Sequence, residues 1–170
     1  MAFVLLGCSA TGPSIDYDPQ VRIDTYTTFN VARSENASID PLNAERIEKA
    51  IVGNLTTKGY RFDPGGEFMA IYTIHILKNV PSNFSIGIGI GSYGHYGGGS
   101  LGTSVTPTSD KVKIRIDMID NKAHKIFWSG AEETTMPTFT TPESRQKFFN
   151  AVIYRLLKTF PPKHRRRLGA

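Results

Sequence analysis

The stretch Lys111–Gly130, KVKIRIDMIDNKAHKIFWSG, constrains this chain more than any other. Val112, Ile114, Ile116 and Met118 alternate with Lys111, Lys113, Arg115 and Asp117, the period of two of a half-buried strand. Asp120, Asn121 and Lys122 follow as a turn, because Asp and Asn bond their own backbone and tolerate left-handed angles. Lys125–Ala131 returns as a second strand, rich in β-branched and aromatic residues and holding the only tryptophan, Trp128. This hairpin organises a sheet and carries no evident chemistry.

Around it the sequence predicts a first strand over Val21–Val31 and a loop over Ser34–Ser38. A helix then opens at Asp40-Pro41, with Asp as N-cap and Pro in the first turn. Its apolar stripe is Ala44, Ile47, Ala50, Ile51 and Leu55, Glu45 can pair with Lys49 on the wet side, and Gly59 stops it. Asp63–Gly66 reads as a turn. Glu67–Val80 reads as a long strand with apolar residues on both phases, as in a central strand covered on both sides. Ile86, Ile88 and Ile90 alternate with glycines as a further strand. Met136–Thr140 is a loop, and Thr141-Pro142 opens a second helix with the stripe Phe149, Val152, Ile153, Leu156 and Phe160, ended by Pro161-Pro162. The order β-α-β-β-β-β-α predicts an α+β fold, a mainly antiparallel sheet of about four to six strands with both helices packed against it.

At 170 residues, 39% hydrophobic and 21% charged, the chain is one globular domain and not a disordered polymer. No apolar run approaches the ~20 residues of a membrane-spanning helix. The net charge of +5 is concentrated at the end: Lys163, Arg165, Arg166 and Arg167 supply four charges and leave the preceding 162 residues at +1. That is no footprint for a nucleic-acid partner. The tail itself could contact an anionic surface.

Residues 1–8, MAFVLLGC, end in Leu5-Leu6-Gly7-Cys8 and resemble the lipobox of bacterial lipoproteins, in which the cysteine is acylated. Seven residues without a basic charge are shorter than a working signal, so residues 1–7 are expected to be the remnant of one. The pattern implies a membrane partner through acylated Cys8. Ser9, where an aspartate would retain the protein at the inner membrane, implies the periplasmic face of the outer membrane. Residues 8–20 then form a tether, 21–162 a single domain, and 163–170 a basic tail. Since Cys8 is the lone cysteine, no intramolecular disulfide forms.

The motifs that look chemical lack their contexts. Gly89–Gly94 spells GxGxxG but runs into His95, Tyr96 and three glycines instead of a helix, so no dinucleotide cofactor is expected. Gly98–Gly102 spells GxSxG, and Ser100 with Asp117 and His124 has a hydrolase order. Pro107 lies where the helix of a nucleophile elbow belongs. The four histidines lack metal-ligand spacing, so no metal is expected, and His75 reads as a sheet residue. Asp117 and Asp120, three apart on a strand, face opposite sides and form no carboxylate pair. Glycines beside amphipathic rings suit recognition, which makes Tyr93, His95, Tyr96, Gly97, Gly98 and Gly99 a candidate partner-binding loop.

Asp16-Tyr17-Asp18, Tyr26-Thr27-Thr28-Phe29, Ile47 to Leu55 with Lys58-Gly59-Tyr60, the glycine-rich centre, Ile116-Asp117 with Ile119-Asp120, Trp128-Ser129-Gly130 and Phe160-Pro161-Pro162 together resemble a bacterial lipoprotein family, the domain of unknown function 4136 family. The resemblance implies an envelope lipoprotein with an α+β fold and no established catalytic residues. It transfers no active site. The expected function is non-catalytic binding or structural support of an envelope protein or cell-wall partner, with a serine hydrolase using Ser100, Asp117 and His124 as the alternative. The oligomeric state stays open.

Overall fold

A computed structural model describes residues 12–37, 39–81 and 108–162. Its elements, in chain order, are β1 (Ser14–Tyr17), a 3-10 turn (Ile23–Thr25), β2 (Thr28–Arg33), α1 (Pro41–Thr57), β3 (Arg61–Phe62), β4 (Phe68–Pro81), β5 (Thr108–Asp120), β6 (Lys125–Met136) and α2 (Pro142–Leu157). The six strands form one sheet in the order β1-β6-β5-β4-β2-β3. Strands β4, β5, β6 and β1 pair antiparallel, while β2 runs parallel to both β4 and β3. The fold is therefore the expected α+β sheet with two helices.

Both helices start as their sequences dictate. The Asp40 carboxylate accepts the Asn43 N–H at 3.0 Å, and Pro41 follows it. Thr141 and Ser144 form a reciprocal capping box. Gly59, at φ +97°, ends α1: the Gly59 N–H reaches Thr56 O and the Tyr60 N–H reaches Leu55 O, closing orphan carbonyls as only a left-handed residue allows. The two stripes face the sheet. Ile47, Ile51, Leu55, Phe149, Val152, Ile153 and Leu156 are fully buried against Phe29, Phe68, Tyr72, Ile74, Ile114 and Ile116.

Strand β4 corrects one expectation. Among the described residues it is covered on one side only: Phe68, Ala70, Tyr72 and Ile74 are buried, while Met69, Ile71, Thr73 and His75 between them are half-buried on a face that no described helix covers. The apolar residues Met69 and Ile71 on the second phase imitated a doubly covered strand.

Three further boundaries moved. Ser14–Tyr17, read as tether, is an edge strand, with Ser14 opposite Ala131 and Tyr17 opposite Trp128. Four residues beside Pro13 and Pro19 are too few for periodicity to show. The strand expected over Val21–Val31 divides into the 3-10 turn and β2, because Arg22 and Asp24 pair locally at 3.0 Å and Thr25 Oγ1 donates to Arg22 O. Arg61–Phe62 adds a two-residue strand that no pattern could announce. The expected strand around Ile86–Ile90 lies outside the described residues.

The hairpin forms with Asp120 Oδ1 accepting the Lys122 and Ala123 N–H groups, each at 2.7 Å. The left-handed residue is His124, at φ 53°, and not Asp120 or Asn121. A bulge opposite Met118–Ile119 turns Phe127 and Trp128, adjacent in sequence, both into the core. Gly130 makes this possible: a Cβ there would stand 2.5 Å from Trp128 Cη2.

Candidate functional site

Two of the places where polar groups gather among the described residues lie at the middle and turn end of the sheet. The first lies where the hairpin turn meets β2. Tyr26 donates its hydroxyl to Asp120 Oδ2 at 2.6 Å. Glu67 Oε2 accepts the Thr27 N–H at 2.6 Å, the Thr27 hydroxyl at 2.9 Å and the Thr28 N–H at 3.0 Å. Asn121 donates from Nδ2 to Gly66 O at 2.7 Å. The Tyr26 hydroxyl, then the Ala123 N–H, hold the Asp120 carboxyl below its ordinary value. The Thr27 N–H, then the Thr27 hydroxyl, do the same for Glu67. Burial, followed by its bond to Asp120, pushes the Tyr26 hydroxyl up. A cleft of roughly 400 Å³ opens beside these groups. The contacts join the ends of β2 and β5 to the loops beside them, so the cluster holds the turn, β2 and β4 in register.

The second place is the uncovered sheet face. The register sets Ala32, Ile71, Asp117, Ser129 and Asp16 in one row across five strands. Thr73, Arg115 and Ala131 form the next row, and His75, Lys113 and Glu133 the one after. Thr73, His75, Lys113, Arg115 and Asp117 line a shallow depression of about 210 Å³. Arg115 Nε donates to both oxygens of Asp117 at 2.9 and 3.0 Å, and Lys111 Nζ lies 3.5 Å from Glu133. Half-buried Met69, Ile71 and Ile119 sit beside these charges, and Ile126 is 52% exposed. Apolar side chains thus lie beside paired charges on this face.

Of the alternative hydrolase residues, the two that are described, Asp117 and His124, are not brought together. Asp117 lies three residues inside the end of β5 on the uncovered face, bonded to Arg115, whereas exposed His124 closes the turn. No hydrogen bond among the described residues joins them, so the acid–base half of the hydrolase arrangement is not assembled. Asp120 faces Tyr26 on the helix side, opposite Asp117, as the strand period requires. His75 is a sheet residue on the uncovered face. Among the described residues no three His, Cys, Asp or Glu side chains gather to hold a metal. Cys8, Tyr93, His95, Tyr96, Gly97, Gly98, Gly99, Ser100, Lys163, Arg165, Arg166 and Arg167 lie outside the described residues, as do both glycine motifs.

Residues that look like a family signature are accounted for by the fold. Tyr26 holds Asp120, Thr27 and Thr28 hold Glu67, and Phe29 and Trp128 fill the core. Gly59 ends a helix, and Gly130 makes room for the indole. The uncovered face escaped the sequence reading because its residues are ordinary; the one available signal was the apolar second phase of β4.

A six-stranded mixed sheet with two helices on one face defines the class: an α+β sandwich whose other side is open among the described residues. The chain belongs to the Domain of unknown function (DUF4136) family, whose profile matches residues 13–162. Two solved structures share the fold. One is a PDZ domain protein from Parabacteroides distasonis, 15% identical over 90% of this chain, with a TM-score of 0.56; the match spans 36% of that protein, so this chain corresponds to about a third of it. The other is the PelC dodecamer from Paraburkholderia phytofirmans, 12% identical over 85% of this chain and 93% of the PelC chain, with a TM-score of 0.53. No curated protein matches the chain. Among the described residues no helix is long and apolar enough to cross a membrane.

Proposed function

We propose that this protein is a non-catalytic binding module of the bacterial cell envelope, held on the periplasmic face of the outer membrane by acyl chains on Cys8. Its uncovered sheet face engages another envelope component. The observation that carries this reading is the division of the sheet: helices seal one side, while Ile71, Thr73, His75, Arg115 and Asp117 stand half-buried or exposed on the other. Such a surface binds by area and paired charge, with no nucleophile or metal needed. Membership of the family supports the envelope assignment, and the Leu5–Cys8 pattern supports the anchor. Several acyl chains hold a domain on a bilayer, whereas one holds it only marginally. The glycine-rich residues Tyr93–Gly99 and the tail cations Lys163, Arg165, Arg166 and Arg167 are proposed as further contacts, to a protein partner and to an anionic cell-wall surface.

The test is the intact mass of membrane-fraction protein made from its native upstream region, beside Cys8→Ala. A chain starting at residue 8 and carrying acyl chains supports the reading; an unmodified mass with both forms soluble removes the anchor. A fluorophosphonate probe that labelled Ser100 would revive the hydrolase.

A further inference from the structure

Building on the anchoring reading, we infer which end of the domain meets the bilayer: the rim of the sheet opposite the Asn121–His124 turn docks against the phospholipid surface. Strand β1 runs from the level of Ala131 to the level of Trp128. The chain therefore enters β1 from the direction of Met136, the far end of β6. Pro13 fixes that entry, since its ring locks its own φ and disfavours a helical turn in the residue before it. Six residue steps separate Cys8 from Ser14, a reach of at most about 22 Å. From Ala131 to Met136 the strand advances about 17 Å. A tether of that length is long enough for an acyl group on Cys8 to reach the level of this rim and little beyond it.

The same rim collects other features. Strand β4 ends there at Pro81 and β5 begins there at Thr108. The loop Pro137–Thr140 carries no charge, so it can meet headgroups without stripping water from an ion. Phe139 is held there between Phe148, 5.4 Å away, and the Arg145 guanidinium, 5.0 Å from its ring. The opposite end is different. Exposed Lys122 and Lys125 stand at the turn, where they compete for the same anionic headgroups, and Phe160 packs on Tyr60 and Trp128 just before the chain leaves at Pro162. The root of the basic tail therefore sits about 26 Å further from the bilayer than the rim, measured as the eight residues from Trp128 to Met136.

The test exploits the single cysteine. Purified chain is coupled through Cys8 to a maleimide phospholipid in phosphatidylethanolamine–phosphatidylglycerol vesicles, which imposes the tether whether or not cells acylate the protein. A fluorophore attached through an azido amino acid replaces Thr138 at the rim or Ala123 at the turn, both exposed. Headgroup-nitroxide lipid is expected to quench the Thr138 probe several-fold more than the Ala123 probe. Equal quenching, which would mean a domain lying on its β1 edge, or stronger quenching at Ala123, overturns the orientation while leaving the anchor intact. An unmodified Cys8 in the cellular protein overturns the anchor instead, independently of the quenching result.

Discussion

The two faces of the sheet share the same strands and hydrogen bonds and differ in almost everything else. On the covered side, Phe68, Tyr72, Ile74, Ile114, Ile116 and Trp128 have lost all contact with water, and one misplaced methyl would be felt. On the uncovered side, alternate residues of the same strands carry Thr, His, Lys, Arg and Asp beside a few half-buried apolar groups. Stability is thus concentrated on one face, which leaves the other free to vary with a partner. The comparison makes a graded set of expectations.

The largest effect belongs to the covered face. Trp128→Ala removes a fully buried indole against Phe160 and is expected to cost about 3–5 kcal/mol in urea unfolding. Gly130→Val attacks the same contact from the other side, since its Cβ falls on Trp128 Cη2, and is expected to cost about 1–3 kcal/mol. Near-wild-type stability of either variant would break the comparison.

Tyr26→Phe, on the helix side beside the hairpin turn, is expected to cost about 1 kcal/mol near neutral pH. Because Asp120 is held below its ordinary value, its contribution is complete above the unfolded carboxylate pKa, near pH 4, and is lost as pH falls through the folded value. The gap between Tyr26→Phe and wild type should therefore narrow below about pH 4. A gap constant down to pH 2 would assign the loss to packing with Phe68 and Phe127 instead. The smallest stability effect is expected on the uncovered face, where Arg115→Ala should change unfolding by no more than about 0.5 kcal/mol while weakening partner capture.

How much of this was legible in the sequence follows the same division. Helix caps, apolar stripes and the Lys111–Gly130 alternation are local, so α1, α2, β5 and β6 could be read directly. What escaped is set by tertiary pairing. Ser14–Tyr17 becomes a strand only because β6 offers an edge, and β2 runs parallel to β4 only because α1 carries the chain back between them. Ile71 gives the same signal whether a helix or a partner covers it. Asp117 and His124 stood in a suggestive order, but order along a chain says nothing of whether a strand residue and a turn residue meet.

The most direct test of the division is photo-cross-linking in living cells, with benzoylphenylalanine placed at Thr73 on the uncovered face or at Tyr154 on the outer side of α2, which is 58% exposed. The account predicts discrete envelope adducts from Thr73 and none from Tyr154. Adducts from Tyr154 with a silent Thr73 would contradict it, placing the working surface on the helices.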